Sequence, residues 1–150
     1  MGRAGRAVLR SSTNSSHLLT TDKGTKILLD CGLYQGNDPD FDDFNHEWVF
    51  NPADIDVMVL SHSHIDHAGR IPKLCKDGFE GDVVCTSATR DLAAIMLLDS
   101  GFIQEKDNEW MNKRRARKDL PPVPPLYIRC QMHNVLWNSL LVLVMDGGFV

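Results

Sequence analysis

The 150 residues carry 16 Lys+Arg against 20 Asp+Glu, a formal net charge of −4, with 43% hydrophobic and 24% charged residues. This balance excludes a disordered chain, a collagen-like chain and a membrane bundle. Bulk charge does not advertise nucleic acid either, so such a partner has to be argued from a local patch.

The opening MGRAGRAVLRSS has no apolar run behind its positive charges, so no secretory signal is read, and Arg6 stands where myristoylation needs Ser or Thr. Asn14-Ser15-Ser16 fits a glycosylation sequon, but it lacks a secretion route. Cys31, Cys75, Cys85 and Cys130 stand singly, which suits reduced thiols better than a zinc ribbon or a disulfide framework. The most apolar stretch, Val135 to Met145, is too short and too interrupted to span a bilayer. The expected location is cytoplasmic, with no membrane partner.

His17–Leu19 and Lys26–Asp30, separated by the turn-forming Asp22-Lys23-Gly24, predict a β-hairpin. Asn37 to Asn51 has no clean period and reads as a surface loop. Its Asp38-x-Asp40-x-Asp42 spacing is not a calcium loop, because Asp43 and Val49 stand where that loop needs Gly and Glu. Asn51-Pro52-Ala53-Asp54 reads as a helix-start turn, and Ile55 to Leu60 as a strand buried on both faces. A short helix is expected from Gly69 to Lys76, stopped near Gly78, then a strand over Asp82–Thr86. Ser87 is read as the N-cap of a long helix. Its core face is read from Leu92, Ile95, Met96, Phe102 and Ile103. Pro121, Pro122, Pro124 and Pro125 end that helix and are read as a linker. The order of elements gives a mixed α/β (α+β) fold class.

His62, His64, Asp66 and His67 form the pattern His-x-His-x-Asp-His directly after the buried strand. At this chain's own composition, chance would produce it about once in a thousand such chains, so it is a signal. Imidazole and carboxylate are the ligand types that zinc takes, and a catalytic site keeps one position open for water. In an extended segment alternate residues point the same way, which lets His62 and His64 grip one ion, while Asp66 and His67 face a second. Two ions sharing a water make it a nucleophile near neutral pH, which implies hydrolysis.

The wording around this cluster resembles the metallo-β-lactamase fold. KILLDCGLYQG, NPADIDVMVLSHSHIDHAGRIPKL, TSATRDLAAIMLLDS and RRARKDLPPVPPLY narrow the resemblance to the β-CASP branch of RNA-processing nucleases, over roughly Ser16 to Tyr127. What it implies is part of an αββα sandwich, a dinuclear site with two Zn2+ ions and cleavage of RNA, with RNA as substrate partner. His62 and His64 match ligands of the first zinc, and Asp66 and His67 ligands of the second. Asp30 matches a buried carboxylate that orients a metal-binding histidine, so Asp66 and Asp30 are the expected catalytic residues. Gly69 and Pro72 match positions that shape the loop and the following helix.

The resemblance also implies further ligands, a His in a Gly-His pair and an Asp bridging both ions, that this sequence does not contain; His133 does not stand in matching text. Residues 1–127 are therefore expected to be an incomplete N-terminal portion of the domain. Residues 128–150 are read as a divergent tail from a shifted reading frame or a truncated gene. Alternatives are a small-ester or thioester hydrolase of the same fold, and an inactive fragment. Lys113 to Lys118 holds five positive charges in six residues; it is either a phosphate-contacting patch or a solvated helix end. Trp48, Trp110 and Trp137 are assigned to core or interface packing, and His17 and His46 to ordinary surface or half-buried positions.

Overall fold

A computed structural model describes residues 15–36, 44–128 and, for the backbone alone, 140–142. The Asp38–Asp42 spacing, the start of the sequon, Cys130, His133, Trp137 and most of the tail lie outside the described residues. Strands β1 (His17–Thr20), β2 (Lys26–Leu29), β3 (Val57–Val59), β4 (Asp82–Cys85) and β5 (Leu140–Val142) form one sheet in sequence order. β1 and β2 make the predicted antiparallel hairpin, with His17 opposite Leu29 and Thr20 opposite Lys26. Its turn closes through Gly24 N–H to the Thr21 carbonyl (2.9 Å), with Gly24 at φ +87°, a backbone that favours glycine. β2, β3, β4 and β5 then run parallel, with Leu28, Met58 and Val83 in one row across the sheet.

Parallel neighbours need crossovers, and helices supply two of them. α1 (Ile65–Ala68) and α2 (Ile71–Lys76) connect β3 to β4, and α3 (Ser87–Ala116) follows β4. Pro52–Asp54 is a single 3-10 turn capped by the Asn51 side chain. The helices cover one sheet face, where Leu28, Met58 and Val83 are buried with Ile71, Leu74, Ala93, Leu97 and Tyr127. On the opposite face Val59 is 38% exposed, and Ile27, Leu29, Val57 and Val84 are half-buried. The strand read as buried on both faces is therefore covered on one among the described residues. Its continuous apolar run still alternates in burial.

Three further expectations are corrected. The N-cap of α3 is Thr86, not Ser87: its Oγ1 accepts the Thr89 N–H at 3.2 Å. The buried face of α3 is Thr89, Ala93, Leu97, Ser100 and Gly101, whereas Leu92, Ile95, Phe102 and Ile103 are exposed. Small residues on the inward stripe let the helix approach its neighbours closely, so the largest apolar side chains mark the wrong face. The prolines do not form a linker. Val123 is held by Asn112 through both its N–H (2.9 Å) and its carbonyl (2.8 Å), and Asn108 also donates to that carbonyl. Asn108 and Asn112, one turn apart on α3, thus dock the returning chain, which ends in buried Leu126 and Tyr127; the Tyr127 hydroxyl bonds Ser100 Oγ at 2.9 Å. No described helix is long and apolar enough to cross a membrane.

Candidate metal centre

The site lies just past the carboxyl ends of two adjacent parallel strands, where open α/β sheets leave a crevice. β2 ends at Leu29, paired with Val59 of β3, so Asp30 and the segment beginning at Ser61 emerge side by side. Asp30 takes a left-handed backbone, φ +58°, which Asp and Asn tolerate better than most residues. That turn directs a buried carboxylate into the site.

Asp30 accepts from three groups: the Ser61 N–H at Oδ1 (2.8 Å), Ser61 Oγ at Oδ2 (2.9 Å) and His67 Nδ1 at Oδ2 (2.8 Å). An ionised carboxylate only accepts, so the His67 proton sits on Nδ1 and leaves Nε2 with a free lone pair. That Nε2 faces Asp66 Oδ2 at 3.6 Å. Ser61 has one proton and gives it to Asp30. Its oxygen then accepts from His62 Nδ1 at 3.1 Å, which leaves Nε2 of His62 as the free ring nitrogen as well. One buried carboxylate thereby sets the tautomer of both rings, whose centroids stand 3.8 Å apart.

His62, Asp66 and His67, all half-buried, bring their ligand atoms within 4.8 Å of one another. Two imidazoles and a carboxylate are a donor set that zinc and similar divalent ions take, and the spread needs only a small closing movement to share an ion at 2.0–2.2 Å. His64 is outside this group. It is exposed, serves as the N-cap residue of α1, and its ring centroid lies 4.8 Å from that of His62. The grouping therefore differs from the two-and-two partition read from strand alternation, because β3 ends at Val59 and α1 carries Asp66 and His67 back toward His62.

The segment that follows β2, together with Ser15, holds these ligands in place. Cys31 N–H donates to the His67 carbonyl (2.7 Å), Leu33 N–H to the Ile65 carbonyl (2.9 Å) and Ser15 N–H to the Asp66 carbonyl (2.8 Å). The packing is so close that a Cβ on Gly32 would fall 1.7 Å from the Asp66 carbonyl oxygen. Gly69, the C-cap of α1, meets the same constraint from the Ile65 carbonyl at 2.5 Å. Pro72 sits in the first turn of α2, where its missing N–H costs nothing. Behind the site, buried Arg70 stacks its guanidinium 3.9 Å from the Trp48 ring centroid and donates to the Glu47 carbonyl. Burial lowers its pKa. Trp48 in turn donates to Asp77, which also pairs with Lys73.

Sequence reading missed Ser61 and Gly32. A hydroxyl directly before the first histidine was the available signal for Ser61. The need for Gly32 arises only from contact with a loop more than thirty residues away.

A one-sheet α/β layer with a His/Asp cluster at its strand ends is the class that the geometry defines. The chain belongs to the metallo-beta-lactamase superfamily, whose sequence profile matches residues 11–126. It is 42% identical over 92 residues to ribonuclease TTHA0252 of Thermus thermophilus, an alignment covering 61% of this chain and 20% of that protein. It is 41% identical over 96 residues to the transcription termination factor FttA of Methanosarcina mazei, covering 63% of this chain and 15% of the relative. Among solved structures, a metallo-β-lactamase of Cronobacter sakazakii matches 56% of this chain and 30% of its own at 31% identity, with a TM-score of 0.41. The chain thus spans a fifth or less of the length of these two relatives.

Proposed function

We propose that this chain contributes the His-x-His-x-Asp-His half of a dinuclear zinc site that hydrolyses RNA phosphodiesters. The observation that carries the reading is the Asp30–Ser61 system, which engages Nδ1 of both His62 and His67 and leaves their Nε2 atoms as the available ligand atoms in a cluster with Asp66. The ribonuclease and termination-factor relatives support RNA as substrate. In this reading His62 and His64 belong to one ion, Asp66 and His67 to the other, and His62 stands at the boundary between them. Asp30 orients His67 directly and His62 through Ser61. When bound, the ions supply Lewis-acid charge for hydrolysis and bring a water's pKa toward neutrality.

Each residue then has a separate task. Asp66 adds negative charge beside His67 on a side chain more exposed than that of His67, where a second cation is neutralised. Half-burial of His62 and His67 keeps bulk water from competing at their inner faces while leaving the outer side open to substrate. Two ions require ligands beyond His62, His64, Asp66 and His67, and we assign residues 1–127 to the N-terminal portion of the domain and 128–150 to a divergent tail. A small-ester hydrolase has no observation of its own in its favour.

Zinc titration of the chain tests the metal, and cleavage of labelled RNA by a protein carrying the complete ligand set tests the substrate. Zinc binding that His62→Ala and Asp66→Asn abolish, with cleavage lost in the same variants and on chelation, is the expected result. Cleavage unaffected by either substitution would overturn the assignment.

A further inference from the structure

Charge and exposed aromatic surface coincide at the C-terminal end of α3. Trp110 is 60% exposed and carries the Arg114 guanidinium 4.8 Å over its ring centroid, so of the core or interface packing read from the sequence the core is excluded. Lys113, Arg114 and Arg115 occupy the last turn, and Arg117 and Lys118 follow. The helix dipole accounts for cations at this end. It does not account for a largely exposed indole among them, nor for the hollow of about 500 Å³ that Trp110, Arg114, Arg115 and Lys118 line, with Asp107 as its one acidic residue.

A second hollow of about 880 Å³ starts at Leu33 and Ile65, the residue next to Asp66, and follows α3 to Asp107, Met111 and Arg115. Those last three residues border both hollows. The two hollows therefore adjoin along α3, and the larger one reaches Ile65 beside the His/Asp ligands.

We propose that the Trp110–Lys118 end of α3 is a second contact surface for single-stranded RNA, which stacks a base on Trp110 and lays its phosphates against Lys113, Arg114 and Lys118. The proposal rests on the RNA reading above and adds to it a binding site remote from the metal ligands. An exposed indole offers a π face to any unpaired base, a face that duplex RNA, with its bases stacked inside, cannot use. The flanking cations supply the phosphate attraction. An acidic peptide would satisfy the cations but leave Trp110 without a role.

The test is direct binding of labelled oligouridine to the full chain, by fluorescence anisotropy over a range of potassium chloride, with chelator present so that no metal contributes. Lys113→Ala/Arg114→Ala/Lys118→Ala should weaken binding at least about tenfold and lower the slope of log Kd against log salt by about two. Trp110→Ala should weaken it about tenfold, whereas Trp110→Phe retains most of the affinity. Glu80→Ala, at an exposed position outside both hollows, should leave it unchanged. All these side chains are exposed, so a melting curve is expected to show an unaltered fold; should the triple variant not fold, Trp110→Ala decides alone. Unchanged binding in the triple variant or in Trp110→Ala overturns this surface and leaves the nuclease reading standing, whereas metal-site variants that still cleave RNA overturn the nuclease reading alone. Polyglutamate competing as strongly as unlabelled oligouridine overturns RNA in favour of an acidic protein partner.

Discussion

Asp30 Oδ2 and His67 Nδ1 meet at 2.8 Å across 37 residues of chain. The contact fixes which nitrogen of His67 is free, and Asp30 holds it from a left-handed backbone that Asn also tolerates. Asp30→Asn should therefore keep the fold. An amide has one acceptor oxygen where the carboxylate offered two, so it cannot receive Ser61 N–H, Ser61 Oγ and His67 together. Zinc affinity is expected to fall about 10- to 100-fold, the usual cost of losing a carboxylate behind a metal-binding histidine. Competition against a chromophoric chelator measures it, and an unchanged affinity would remove Asp30 from the site.

Ser61 relays the same charge to His62. Ser61→Ala removes the acceptor for His62 Nδ1–H and one donor to Asp30, but leaves the Ser61 N–H bond to Oδ1 in place. Because Ser61 is exposed, stability should change by no more than about 1 kcal/mol. Zinc affinity should drop about tenfold, and Ser61→Thr should restore it, since the hydroxyl is what matters. In NMR spectra selective for imidazole nitrogens, wild-type His62 should show a single protonated Nδ1, and Ser61→Ala a mixture of tautomers. A pure Nδ1–H form in the alanine variant would refute the relay.

Two glycines separate crowding from backbone strain. At Gly24 a Cβ meets nothing within 4 Å and only the positive φ opposes it, so Gly24→Ala should cost about 1–2 kcal/mol. At Gly32 a Cβ would overlap the Asp66 carbonyl, a backbone atom that cannot rotate aside. Gly32→Ala should cost at least about 3 kcal/mol, and zinc affinity should fall with it because α1 must move. Chemical unfolding and zinc titration of the two variants together make the comparison. Equal losses, with zinc binding intact in both, would show that the loop can retreat from Gly32.

What could be read from the sequence was whatever neighbouring residues specify among themselves. The hairpin follows from alternation around Asp22-Lys23-Gly24, and the His/Asp cluster from spacing within six residues. The inward face of α3 could not be read this way, because its outward stripe holds the larger apolar side chains and burial depends on Tyr127 returning beneath Ser100. That return depends on Asn108 and Asn112, which look like ordinary helix-surface residues until Val123 is seen between them. The closeness of His62 to Asp66 and His67 needed the start of α1 at Ile65, which strand alternation cannot supply. The same limit hid the setting of Trp110: a scattered tryptophan is assigned to a core or an interface by default, and only the fold shows it standing among the cations of the last helical turn.

Buried Cys31 gives the fold an alkaline limit. Desolvation pushes its thiol up from 9.0 to about 12, against the opposing pull of Arg70, and burial also raises Tyr127 and Cys85 above their ordinary values. The unfolded chain thus releases the Cys31 proton from about pH 9, while the folded chain keeps it until about pH 12. Across that window the folded state binds more protons, so stability is fully present below pH 9 and declines as pH rises, by at most about 1.4 kcal/mol per pH unit for this one group. Cys31→Ala should cost about 1 kcal/mol at neutral pH through lost packing, yet flatten the decline above pH 9. Tyr127 and Cys85 still titrate in the variant, so the slope should diminish without vanishing. Urea midpoints measured from neutral to strongly alkaline pH in both proteins give the comparison. Parallel curves would mean that Cys31 already ionises in the folded state, and that the Arg70 guanidinium stacked on Trp48 outweighs the burial around the thiol.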